Sequence, residues 1–245
     1  NALTAGMTFN GSIMTRVIPG IDETLIKLQS LADPAVRASQ ARFGITGTNA
    51  LGITLPALRG LAKGIRNHEL ALALWESGIH EARTLAAMIE EPSQVTREQA
   101  EHWVTQFDSW DICDIITDEV LIHTPFILEL IEAWSIREEE FVKRAAFASM
   151  AALVVHRKDI PDQQVVRFFD LIEKTSTDPR NFVKKAVNWA LRNIGKYRPL
   201  LRKQAWKLAE NLSQAEDKTA HWIGRDAVKE FELKFGGNDD AETSF

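Results

Sequence analysis

The sequence predicts an all-α protein in which paired helices stack into a right-handed α-solenoid. Three observations lead to this fold class. Apolar residues recur at helical spacing, as in Leu128, Ile131 and Trp134. Prolines stand at the start of such runs, where the missing N–H has no intrahelical partner to lose. A short segment beginning at Phe141 is echoed 41 residues later, at Phe182, which indicates a helical repeat.

Helical periodicity, with these prolines as start signals, divides most of the chain into short helices. The predicted helices cover residues 21–31, 34–43, 55–66, 68–77, 81–90, 96–107, 109–122, 125–135, 138–156, 161–175, 179–196, 199–212 and 219–235. Val154 and Val155 are β-branched but continue a helical pattern, so no sheet is predicted. We expect residues 19–236 to form one repeat domain. Residues 1–18 are interpreted as an N-terminal tail that is part expression tag, and residues 237–245 as an acidic C-terminal tail.

The repeat is clearest where FVKRAA, from Phe141, is echoed by FVKKAV, from Phe182. A fainter copy begins at Ile223. A period near 40 residues with two helices in each unit is typical of HEAT or armadillo repeats, whose stacked helices form a concave face. We therefore predict a HEAT-like solenoid with a concave basic groove. The basic pairs take equivalent positions on adjacent repeats: Lys143, Arg144, Lys184 and Lys185.

Charge is distributed unevenly along the chain. The formal net charge is −5, which by itself argues against a nucleic-acid partner. Residues 141–207, however, hold 15 Lys and Arg against 5 Asp and Glu, a net of +10. Such a block is typical of proteins that bind an anionic polymer, although exposed helix faces can carry the same charges.

Composition excludes several classes of protein. The chain has 13 Gly and 8 Pro in 245 residues, too few for a collagen-like or largely disordered protein. Its single cysteine, Cys113, cannot form an intrachain disulfide. The histidine spacing suits no metal site, and no apolar run reaches the roughly 18 residues of a membrane helix. We expect a cytoplasmic, non-secreted monomer with no metal and no cofactor.

Two segments carry residues suited to chemistry. Trp110 and Asp114 lie four residues apart, so they share one helix face, and Asp114 has apolar neighbours that make an unpaired carboxylate unfavourable. Lys185, Trp189 and Arg192 line one face of the most basic helix. The alternative is structural: both tryptophans pack in the core, and Asp114 forms an ion pair between helices.

At these residues the sequence resembles the AlkD-like DNA alkylation repair family, which consists of all-helical HEAT-like glycosylases. The likeness spans about residues 20–235. Three stretches carry it: GITLPALRGLAK at residues 52–63, SWDICD at 109–114, and KRAA at 143–146 paired with KAVNWALR at 185–192.

The resemblance implies an active site. In the family, a tryptophan and an aspartate lie four apart on one helix, an arginine comes from a later helix, and a further Trp-x-x-Arg completes the site. The corresponding residues here are Trp110, Asp114, Arg144, Trp189 and Arg192. Asp114, Trp110 and Trp189 are thus the implied catalytic residues. DNA binding is expected of Arg144, Arg192, Lys143, Lys184 and Lys185.

The resemblance also implies an activity, hydrolysis of the N-glycosidic bond of cationic N3- or N7-alkylated purines in double-stranded DNA. Retention of Trp110, Asp114 and Trp189 together favours an active glycosylase. Two alternatives stay open. One is a catalytically silent HEAT-like module that binds damaged or branched DNA, and the other is a protein-interaction solenoid whose basic block meets an acidic partner.

Overall fold

A computed structural model describes residues 4–9, 12–17, 20–45 and 49–236 of the chain. From residue 20 onward, all regular elements of these ranges are helices, as the sequence predicts. The chain divides into two compact units, Asn1–Val95 and Thr96–Phe245. The prediction of one domain over residues 19–236 stays a prediction. The predicted tail at 237–245 lies outside the described residues.

A β-hairpin precedes the helices of the first unit. Strand β1 (Thr4–Phe9) pairs antiparallel with β2 (Ser12–Val17), and Met7 lies opposite Met14. Both strands lie within residues 1–18, which are interpreted above as an N-terminal tail and for which no fold is predicted. The dipeptide Asn10-Gly11 between the strands is among the strongest sequence signals for a two-residue hairpin turn.

Five helices follow in the described residues of the first unit. They are α1 (Ile21–Ser30), α2 (Pro34–Ala41), α3 (Leu55–Ala62), α4 (His68–Glu76) and α5 (His80–Ile89). Helix α5 contacts α1, α3 and α4 and is buried along most of its length. It is therefore the central helix of this unit.

A buried carboxylate fixes the segment before α3. Glu81, on α5, is 1% exposed and accepts the backbone N–H groups of Leu51, Gly52 and Ile53 at 2.7, 2.6 and 3.2 Å. Gly52 has φ +83°, and a Cβ there would lie 2.2 Å from the carbonyl oxygen of Asp33. Only glycine fits this turn, because it alone combines a positive φ with no side chain.

The second unit repeats a pattern of paired helices. Its elements are α6 (Arg97–Thr105), α7 (Trp110–Glu119), α8 (Ile127–Ser135), α9 (Glu140–His156), α10 (Asp162–Val165), α11 (Arg167–Thr175), α12 (Asn181–Tyr197), α13 (Arg202–Ser213) and α14 (Lys218–Phe235), with 3-10 turns at Leu121–His123 and Pro199–Leu201. The helix predicted over 161–175 is divided at Val166 into α10 and α11. The other predicted helices are confirmed, with ends shifted by a few residues.

The helices of this unit form two layers. Helices α7, α9, α12 and α14 pack side by side in that order, and α8, α11 and α13 pack behind α9, α12 and α14. This is the two-helix arrangement that the 41-residue echo predicts, since each echoed segment opens a helix of the first layer.

Arginines at the ends of two helices connect adjacent repeats. Arg157, the C-cap of α9, donates to the carbonyl of Ile122. Arg198, the C-cap of α12 and 41 residues later, donates to the carbonyls of Ile160 and Arg157 at 2.8 and 2.7 Å. Carbonyls near helix ends lack intrahelical partners, so these arginines satisfy them and hold one repeat to the next.

Two glycines inside helices give a matched prediction about packing. A Cβ on Gly224 of α14 would lie 2.1 Å from the backbone nitrogen of Ser213, whereas Gly60 of α3 has no atom within 4 Å of such a Cβ. We expect Gly224→Ala to lower the free energy of unfolding by about 1–3 kcal/mol or more, because backbone must move. Gly60→Ala should raise it by about 0.5–1 kcal/mol, because alanine favours the helix.

Thermal unfolding of the two variants beside the parent protein measures both changes. Opposite signs are the expected result. A stable Gly224→Ala protein would contradict the close approach of α13 and α14.

Candidate functional site

An ion pair between α7 and α9 lies at the centre of the predicted site. Arg144 donates from Nε and Nη2 to Oδ1 of Asp114 at 3.0 and 2.8 Å, and from Nη2 to Oδ2 at 2.7 Å. The Asp114 side chain is 23% exposed and that of Arg144 only 7%. The ion pair of the structural alternative is thus present, yet the carboxylate keeps an exposed edge.

The same arginine reaches a third helix. Its Nη1 donates to the carbonyl oxygen of Phe182, in the first turn of α12, at 2.8 Å. The rings of Phe141 and Phe182 also pack together across α9 and α12, with centroids 5.4 Å apart. Arg144 therefore joins α7, α9 and α12, and all three of its guanidinium nitrogens donate within the protein.

Burial and charge act in opposite directions on Asp114. Burial disfavours the carboxylate and raises the pKa of Asp114 above its usual value, while the Arg144 guanidinium lowers it and the nearby Asp111 and Asp118 raise it. The net shift is upward. Arg144 is thus the group that opposes the effect of burial on the pKa of this carboxyl.

The predicted tryptophans lie on α7 and α12, two of the helices that Arg144 joins. Trp110 is the first residue of α7, one turn before Asp114, and is partly exposed. Its N-cap is Ser109, whose side chain makes no capping hydrogen bond. Trp189, also partly exposed, lies on α12 seven residues beyond Phe182, or about 10 Å along the helix axis.

Arg192 is held by the last helix. Its Nη1 lies 2.8 Å from Asp226 and its Nε 2.5 Å from Glu230, both on α14. Asn188 donates to Asp226 at 2.7 Å. Burial acts to raise the pKa of Asp226, but the hydrogen bonds from Asn188 and Arg192 outweigh it and hold this pKa below its usual value.

The three predicted lysines differ in their surroundings. Lys143 is mostly buried and lies 3.5 Å from Asp178. The ammonium of Lys184 lies over the ring of Trp222, 5.1 Å from its centroid. Lys185 is exposed and pairs with no carboxylate among the described residues. Of the three lysines, Lys143 and Lys184 therefore have partners, whereas Lys185 is unpaired among the described residues.

Sequence reasoning missed the residues of α14. Trp222, Asp226 and Glu230 recur every four residues and face α12, where they meet Lys184, Arg192 and Lys196. The echo at Ile223 marks this helix, but spacing within α14 says nothing about its partners on α12.

The described residues form neither a metal-binding cluster nor a membrane-spanning helix. Residues 20–45 and 49–236 contain no group of three or more His, Cys, Asp or Glu side chains placed to hold a metal ion. No helix within the described ranges has the length and apolar character needed to cross a membrane.

The described part of the second unit consists of repeated helix pairs, and the partly buried carboxylate of Asp114 lies between α7 and α9. Repeated helix pairs of this kind are the arrangement of a HEAT-like repeat protein. The sequence pattern of the DNA alkylation repair enzyme family matches residues 25–231, so the chain belongs to this family. No curated protein matches the chain significantly.

A solved structure has the same fold. It is described as belonging to a new family of proteins related to the HEAT-like repeat DNA glycosylases with affinity for branched DNA structures. The two chains are 17% identical, the match covers 89% of this chain and 95% of the other, and the TM-score is 0.73. At this identity the match establishes the fold, which confirms the predicted all-α, HEAT-like class, while the right-handed solenoid and its concave basic groove stay predictions.

The geometry around Asp114 gives a prediction about its titration. Replacing Arg144 with glutamine removes the cation that opposes the effect of burial, so the pKa of Asp114 should rise further. Carboxyl-carbon NMR titration measures this directly. Lys143→Gln is the control, because Lys143 is adjacent in sequence but pairs with Asp178. Equal shifts in both variants would mean that Arg144 has no special effect.

Proposed function

We propose that this protein is a DNA glycosylase that hydrolyses the N-glycosidic bond of cationic N3- or N7-alkylated purines in duplex DNA. The observation that carries the proposal is the Asp114 carboxylate, buried on α7 yet exposed along one edge, and fixed by two-point contact with Arg144. Membership of the DNA alkylation repair enzyme family supports it.

The chemistry suits a fixed carboxylate. Alkylation at N3 or N7 makes the purine cationic, so the base departs without protonation by a general acid. The remaining barrier is the positive charge that develops on the deoxyribose as the bond breaks. A preorganised carboxylate stabilises that charge and orients the water that attacks C1′. We assign this role to Asp114.

The neighbouring residues take supporting roles. The ring faces of Trp110 and Trp189 would attract the cationic nucleotide. Arg144 would hold Asp114 in place and keep it ionised. Among the predicted phosphate contacts, Lys185 can act directly because it is exposed and unpaired among the described residues. Arg192, Lys143, Lys184 and Arg144 would first have to exchange or share their present partners.

A second candidate function is DNA binding without excision. It is favoured by the occupation of both Asp114 oxygens by Arg144, which leaves less of the carboxylate free to face a sugar. The solved relative is described by its affinity for branched DNA. Release of free alkylated base from duplex DNA containing 7-methylguanine or 3-methyladenine separates the two functions.

The remaining alternative, a protein-interaction solenoid, makes a different prediction from the glycosylase and from the DNA-binding module. Binding to a phosphate backbone releases counterions, so DNA affinity must fall steeply as salt concentration rises. Absence of salt-dependent DNA binding would favour the acidic protein partner.

Asp114→Asn tests the proposed chemistry. It keeps the side-chain shape and one oxygen that can accept from Arg144, but it removes the negative charge. Single-turnover excision should fall by about 10²–10³, the usual scale for loss of one preorganised stabilising group. Affinity for DNA should persist, because a carboxylate does not attract phosphates. Excision is measured per folded molecule.

Asp118→Asn is the matched control. Asp118 lies one turn further on the same face of α7, half exposed and 3.2 Å from His156. If a diffuse negative charge were sufficient, both variants would lose similar activity. If Asp114 served only to hold the helices together, the Asp114→Asn protein would have a lower melting temperature but normal excision per folded molecule.

Lysine variants test the proposed contacts with phosphate. Lys185→Ala should weaken DNA binding equally across sequences and make the slope of log affinity against log salt about one unit shallower. Lys143→Ala is the comparison, because its ammonium already faces Asp178. It should change the slope less. A larger effect from Lys143 would place the DNA backbone near Asp178 instead.

A further inference from the structure

A large aromatic side chain is exposed on the last helix and has no role in the proposed excision chemistry. Trp222, in the second turn of α14, is 39% exposed. The Lys184 ammonium lies over its ring, 5.1 Å from the centroid. A cation over an exposed indole places an aromatic surface and a positive charge at one point.

The packing of α14 fixes the direction of this face. Gly224 has no side chain, and α14 approaches the end of α13 so closely that a Cβ there would meet the backbone of Leu212 and Ser213. With α13 on that side and α12 against Asp226 and Glu230, the face of α14 that carries Trp222, Arg225 and Lys229 is left exposed. A groove of about 760 Å³ lies along it, lined by Trp222, Arg225 and Lys229 of α14 and by Ser213 and Gln214.

The charges of this groove favour an anion. Arg225 and Lys229 are exposed, lie one turn apart, and have no carboxylate within ion-pair distance in the described part of the chain. His221 precedes Arg225 by one further turn. Of the two acidic lining residues, Asp226 is bound by Arg192 and Asn188, and Glu232 lies near the end of α14.

We propose that this groove binds an unpaired segment of DNA, with one base stacked on Trp222 and the adjacent phosphates on Arg225 and Lys229. Single-strand binding combines a basic groove that follows the backbone with aromatic faces that stack bases. A base inside a duplex is already stacked between its neighbours, so only an unpaired base can use the indole. Lys184 lies over one face of the indole and would contact a phosphate only by sharing or leaving that ring.

This binding site goes beyond the proposed glycosylase activity and does not depend on it. Its readout is affinity for unpaired DNA, whereas that of the glycosylase is release of a base from duplex DNA. Either can fail while the other holds.

Trp222→Ala, Trp222→Phe and the parent protein test the proposal. The probes are an oligo-dT strand of about 12 nucleotides, within the range of single-strand site sizes, and a blunt duplex of similar length. Trp222→Ala should weaken binding to oligo-dT at least about fivefold and leave duplex binding unchanged. Trp222→Phe should restore most of the loss, because phenylalanine keeps an aromatic face. Leu233→Ala, an exposed change on the same helix, should have no effect.

Cross-linking provides a test that needs no variant. Ultraviolet irradiation of the parent protein with a 5-bromodeoxyuridine-containing strand should label tryptic peptide 219–225, which contains Trp222. Unchanged oligo-dT binding by Trp222→Ala, an equal loss on duplex, or labelling only elsewhere would each overturn the proposal.

Discussion

The second unit depends on the contact that Arg144 makes with Asp114 and with the carbonyl of Phe182. Two buried charges are unfavourable unless each is paired and hydrogen-bonded, and breaking such a pair costs about 3–5 kcal/mol. The contact therefore sets the register of α7, α9 and α12 with respect to one another. Because Asp114 is also the residue to which we assign catalysis, the register of the helices and the geometry of the site are set by one interaction.

The opposite end of the same layer is fixed in a similar way. Arg157 and Arg198 satisfy carbonyls of the preceding repeats where α9 and α12 end. Helices α9 and α12 thus each have an arginine contact near both ends, with small and apolar side chains packed between. A site built on helices held at both ends keeps its side chains within the narrow tolerance that catalysis requires.

The sequence predicted the helices well because prolines and apolar spacing act locally, and it placed Trp110 and Asp114 on one face because spacing within a helix fixes that. It could not pair Asp114 with Arg144, 30 residues away, because the alignment of two helices depends on packing along their whole length. The carboxylates that hold Arg192 were missed for the same reason. The hairpin was not predicted, because residues 1–18 are interpreted as a tail although the dipeptide Asn10-Gly11 favours a hairpin.

The net charge of a sequence segment overstates how many of its cations are free to contact phosphates. In residues 141–207, where the net charge is +10, several arginines already donate to carboxylates or carbonyls of the protein: Arg144, Arg157, Arg180, Arg192 and Arg198. Their charges stabilise the repeats and are partly neutralised there. The unpaired cations of the described residues around α12 and α14 include Lys185, Arg225 and Lys229, and two of these lie outside the basic block. The surface open to phosphates is therefore determined by which cations lack internal partners, and only the structure gives that information.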